Sequence, residues 1–143
     1  MKNNREQRMK KVLIYVEKHT DGTYWGSTTN IPGVIAEFGN SLAELKQKTE
    51  AAYKDYYDLA VELEEDFVKD LSKNPEFSYK LDLQNVFNLV PEVKITNIAE
   101  RANINASLLR QYKTGSANAS EEQANKVLQA LHNLGSELLS VSF

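Results

Sequence analysis

The sequence predicts an α+β protein in two parts. A small antiparallel sheet with one packed helix comes first, and an all-α domain follows. Three observations predict this. Residues 10–38 hold short runs of β-branched and aromatic side chains, separated by turn residues. "SLAE", Ser41 to Glu44, then opens a long stripe of apolar residues at spacings of three and four. After Asp82 the apolar pattern is helical throughout, in short pieces. The boundary is therefore placed between 1–81 and 82–143.

Each element has its own signal. In "KKVLIYVEK", residues 10–18, Val12, Ile14 and Val16 alternate with Leu13, Tyr15 and Glu17, as in a strand with one well-buried face. Asp21-Gly22 is a hairpin signal, because glycine tolerates positive φ. "TYWGSTT" reads as a second strand, "NIPGV" as a turn, and "VIAEFG" as a third strand ended by Gly39-Asn40. Ser41 caps a helix whose stripe is Leu42, Leu45, Thr49, Ala52, Tyr56, Leu59 and Leu63, reaching at least the mid-60s. Asn74-Pro75 stops any helix there, and "FSYKLD" alternates as a fourth strand.

The second part reads as four helices. Asp82 caps "LQNVFNLV", Ile95–Ala102 is the next piece, and Asn105–Thr114 the third. "SEEQ", from Ser120 to Gln123, is a second capping box. It opens a helix through Val127, Leu128, Leu131 and Leu134, with Gly135 as its expected stop.

Composition excludes several classes. There is no cysteine, so disulfides, thiolate nucleophiles and thiolate metal sites are out. No apolar run approaches the roughly 20 residues that cross a bilayer. The start "MKNNREQRMKK" is basic, but no signal-peptide core follows it, and a cytoplasmic location is expected. Residues 1–90 carry 12 Lys and Arg against 15 Asp and Glu, and residues 91–143 carry 5 against 5. Proteins that hold nucleic acid by general electrostatics are more basic than this, so any such site is local.

Ile95–Thr114 has the residue sizes of a helix-turn-helix. Ala99 is small where the second helix crosses the first. Asn103 sits at the turn, where a residue tolerant of positive φ is needed. Ile98, Ala102, Ile104, Leu109 and Tyr112 interlock the pair, and Asn105 can cap the second helix. The plain alternative is a generic helical hairpin. One helix before the pair and one after it favour a closed helix-turn-helix domain. In that geometry Ser107, Arg110 and Gln111 face base edges, since Arg pairs guanine acceptors and Gln pairs adenine. Asn105, Lys113 and Thr114 suit phosphates, and Ala106 a thymine methyl.

The two halves together resemble the HicB family of antitoxins from bacterial toxin–antitoxin pairs. The N-terminal resemblance lies in "YWGSTTNIPGVIAEFGNSLAEL", through Asn30, Pro32, Gly33, Gly39, Ser41 and Glu44. The C-terminal resemblance lies in "NINASLLRQYKTG" and "SEEQANKVLQALHNLGSELLSV". The chain departs from the pattern before Pro-Gly, where Asn30 replaces the usual acidic residue and Ile31 intervenes. The resemblance implies a truncated ribonuclease-H-like fold without that fold's activity, followed by a Cro-like helix-turn-helix.

It also implies a function. The first part would bind a HicA-like toxin, a small basic messenger-RNA-cleaving ribonuclease, and the second would bind the operator DNA of its own operon. No enzyme activity, cofactor or metal is expected. Glu17, Asp21 and Glu37 are scattered, His19 and His132 stand apart, and the run Glu62, Glu64, Glu65, Asp66 reads as a solvated helix face. A stand-alone transcription regulator with a sensing or dimerising first domain is the competing reading. An enzyme with a helix-turn-helix appendage is the third. Few local cations make a homodimer or a dimer of dimers the expected assembly, through the C-terminal "SELLSVSF" or an edge of the sheet.

Overall fold

A computed structural model of the chain describes residues 11–142. The basic N-terminal run, Lys10 of the first expected strand and Phe143 of the apolar C-terminus lie outside the described residues. The fold is α+β, and the chain divides into two compact units, Met1–Leu81 and Asp82–Phe143.

The first unit holds one four-stranded sheet, with strands β1 (Lys11–Lys18), β2 (Tyr24–Thr28), β3 (Ala36–Gly39) and β4 (Glu76–Lys80). Their order is β3-β2-β1-β4. The expectation of an antiparallel sheet is corrected here. β1–β2 and β2–β3 are antiparallel, but β4 runs parallel to β1, pairing Lys11 with Glu76 and Tyr15 with Lys80. The reason is the long helix α1 (Leu42–Glu62), which lies between β3 and β4 in the chain. A crossover of that length delivers the next strand parallel, whereas a tight turn delivers it antiparallel.

Strand alternation sets the two faces. Val12, Ile14 and Val16 are fully buried under α1, together with Leu45, Thr49 and Tyr53. Gly26 leaves room for this packing, since a Cβ there would meet Ile14 and Leu45 at 3.1 and 3.2 Å. Tyr53 is held by its hydroxyl, which donates to the Ser72 carbonyl at 2.7 Å, and burial pushes its pKa up to about 12.

The expected α1 stripe is half right. Leu45 and Thr49 are buried, but Leu59 and Leu63 are 54% and 61% exposed, while Tyr53 and Ala60 point inward. The stripe rotates because 3.6 residues per turn is not an even three-and-four alternation. The helix also stops at Glu62, short of the mid-60s. Glu64 takes φ 53, and Glu64 and Glu65 donate back to Val61 and Ala60. That is a Schellman-type end built without glycine. A short 3-10 turn, Asp66–Asp70, follows where no element was expected.

Asn30 acts as part of the sheet. Its side chain accepts from Leu13 N–H at 2.9 Å and donates to the Lys11 carbonyl at 2.9 Å. The amide needs both a donor and an acceptor for this, so a carboxylate could not make the same pair.

The second unit contains α2 (Leu83–Leu89), α3 (Ile95–Ala102), α4 (Ala106–Thr114) and α5 (Glu121–Leu139). Their core is Phe87, Ile98, Ala99, Ala102, Ile104, Leu109, Tyr112, Val127 and Ala130. Gly135 does not end the last helix. α5 runs through it to Leu139, because nothing demands positive φ there and the last carbonyls are met by Ser140.

Candidate nucleic-acid interface

α3 ends in a left-handed Asn103, at φ 55 and ψ 46. Asn103 N–H donates to Glu100 O, and Ile104 N–H donates to Ala99 O at 2.9 Å. This pair of bonds reverses the chain within two residues and drops Ile104 into the core. Ala99, 1% exposed, provides the small contact in this core. The Asn105 side chain then accepts from Ser107 N–H and Leu108 N–H at 2.9 and 3.3 Å, which starts α4.

Helical spacing sorts the expected reading residues. Ser107, Arg110, Gln111 and Thr114 stand at i, i+3, i+4 and i+7, on the face opposite Leu109 and Tyr112, and all four are exposed. Lys113 is exposed at the border of that face, and Asn105 is exposed at the N-terminus. Ala106 is half-buried and packs against the core, so its methyl is not freely presented as a thymine contact.

Besides Asn105, which caps α4, two of these side chains are engaged within the unit. Arg110 Nη2 donates to Thr96 Oγ1 at 3.1 Å, which steers the guanidinium toward the start of α3. The Thr114 hydroxyl turns back on its own helix, donating to Arg110 O at 3.1 Å, and lies 2.8 Å from Ser116 Oγ. Thr96 and Ser116 extend the polar patch beyond the residues named from the sequence. Only their hydrogen bonds reveal them, since exposed Thr and Ser carry no periodic signal.

The cations are not equivalent. Arg101 makes a two-pronged pair with Glu137, at 2.8 and 3.1 Å, linking α3 to α5. The hydrogen bond and then the charge of Arg101 hold the Glu137 carboxyl below its ordinary value. Lys126 lies 3.9 Å from Glu122 on the same helix. Among the described residues, Arg110 and Lys113, on α4, are in no salt bridge. Lys94, at the N-cap of α3, is likewise in no salt bridge among the described residues, so two of the three cations left outside the ion pairs lie on α4.

Among the described residues, no three His, Cys, Asp or Glu side chains gather as a metal site would require. No helix among them is long and apolar enough to cross a membrane. Compared with known proteins, the chain matches no family model, no curated protein and no solved structure.

Proposed function

We propose that the chain is an antitoxin and autorepressor of the HicB type. Its second unit binds double-stranded operator DNA through α4, and its first unit binds and blocks a small basic HicA-like ribonuclease. The observation that carries the DNA half is the left-handed Asn103 joining two short helices, with an exposed polar face on the second. A left-handed cap is common at helix ends, and what supports the reading is its use in a three-residue connection between two short helices of a four-helix unit. The reading helix would enter the major groove with Ser107, Arg110 and Gln111 toward base edges. Asn105, Lys113 and Thr114 would lie toward phosphates.

The antitoxin half rests on the sequence resemblance. The order of elements supports it: a three-stranded meander, a long helix and a strand returning beside β1 suit a truncated ribonuclease-H-like fold. Because α4 offers few cations, a homodimer or dimer of dimers on an inverted repeat is part of the proposal. Action in the cytoplasm, where operator and messenger RNA are found, is likewise part of it.

The test uses the gene pair. The neighbouring small open reading frame is induced in cells with and without this chain, and the upstream DNA is titrated in gel shifts. Growth arrest relieved by this chain, with a saturable shift of that DNA alone, is the expected result. Continued arrest with an intact operator shift would leave only the stand-alone regulator.

A further inference from the structure

The outer face of the sheet, away from α1, is not an ordinary solvated face. Register places Glu17, Trp25 and Phe38 side by side across β1, β2 and β3, and Tyr15, Ser27 and Ala36 in the next row. Trp25 and Phe38 are 43% and 48% exposed, and Tyr15 is 38% exposed. Trp25 stacks on both His19 and Phe38, at 5.4 and 4.9 Å between centroids with planes 23° and 21° apart. Lys48 lies 5.0 Å from the Phe38 centroid. The indole is locked. Its Nε1–H donates to Thr23 Oγ1 at 2.9 Å, and Thr23 donates to Asp21 at 2.6 Å.

Beside this ring column the sheet is hollow. Ser27 and Ala36 are too small to fill the next row, and a notch of about 300 Å³ remains between Tyr15, Glu17, His19 and Trp25. We propose that this notch receives an arginine side chain from a basic protein partner. The proposal rests on the reading above that the first unit binds such a protein.

The chemistry selects the guest. The walls are aromatic, which suits an aliphatic stem. Glu17 offers acceptors only, and Ser27 adds a hydroxyl. A guest must therefore bring donors and positive charge on an apolar stalk. Arginine does so with a planar fork that pairs a carboxylate through two hydrogen bonds. A nucleobase is disfavoured, because stacking platforms need open ring faces and these rings spend theirs on one another. Locked rings lower the ordering cost of binding.

Trp25 is the single tryptophan, so its emission reports on the notch directly. The full chain is titrated with a capped Gly-Arg-Gly peptide and with its citrulline counterpart, which keeps the stem and loses the charge. Chemical shifts of Tyr15 and Ser27 are followed in parallel. A saturable response to the arginine peptide is expected, at least tenfold weaker with citrulline, and lost in Glu17→Gln. Equal responses to both peptides, no saturable response, or a response to a single-stranded oligonucleotide in place of the arginine peptide would each overturn the notch. The partner protein separates the two readings. Capture of the toxin that is unchanged in Glu17→Gln defeats the notch and leaves the antitoxin function standing. Failure to capture any toxin, with the arginine response intact, defeats the function and leaves the notch.

Discussion

Arg101 on α3 and Glu137 on α5 are joined by two charge-assisted hydrogen bonds, at 2.8 and 3.1 Å. This pair fastens α3 to α5, the last helix of the second unit. The folded-state pKa of Glu137 is depressed, so its stabilising effect is present above the ordinary carboxylate value and fades as pH falls through the depressed one. Glu137→Gln should lower the thermal midpoint slightly at pH 7. The gap to the parent should close in acid, below the normal carboxylate range. A gap of the same size at both pH values would show that packing, not charge, is responsible.

Arg110 is expected to be a base-reading residue. Arg110→Ala should weaken operator binding by about 1–3 kcal/mol without altering the fold. Thr96→Val removes only the hydroxyl that steers the guanidinium and should cost less. Gel-shift titration of both variants decides this, and equal affinity for Arg110→Ala and parent removes Arg110 from the reading set.

Asn103 holds the turn in a conformation that costs most residues about 1–2 kcal/mol. Asn103→Val should destabilise the second unit by about that amount or more, and Asn103→Gly should be tolerated. Urea midpoints of the two variants give the ranking. If Val and Gly were equivalent, the left-handed turn would not be what matters.

Asn30 bridges two backbone groups of β1 with one side chain. Asn30→Asp keeps the acceptor and turns the donor into a carboxylate facing the Lys11 carbonyl. Both bonds are exposed to water, so a loss of about 1 kcal/mol is expected from the missing hydrogen bond. Equilibrium unfolding followed through Trp25, in the same unit, measures it.

The end of α5 carries Leu138 and Leu139 at 66% and 90% exposure, with Val141 at 68%. Replacing both leucines with serine should shift the protein from dimer toward monomer by light scattering and weaken operator binding. Because α5 runs through Gly135, these substitutions test the surface better than cutting the chain at Gly135, which would also remove Glu137. A double variant that stays dimeric with full affinity points to the sheet edge instead.

Local chemistry made several elements legible before any coordinates. Ser41, Asp82, Asn105 and Ser120 each cap the helix they were expected to open, because a cap is decided within about three residues. Val12, Ile14 and Val16 declared the buried strand face through their alternation. Asn103 declared the turn by residue type. The outward face of α4 followed from spacing alone, since Leu109 and Tyr112 had to point inward.

What needed the tertiary structure was everything set by residues distant in sequence. The direction of β4 depends on where α1 delivers the chain, which no local pattern encodes. The inward turn of Tyr53 and Ala60 depends on where the sheet lies beneath the helix. The engagement of Arg110 by Thr96 and of Arg101 by Glu137 depends on how α3, α4 and α5 cross. The notch beside Trp25 exists because two small residues, Ser27 and Ala36, fall in one row across two strands, and pairing register alone brings them together. Periodicity reports which side of an element is buried. Only packing decides what it is buried against, and which exposed side chains meet.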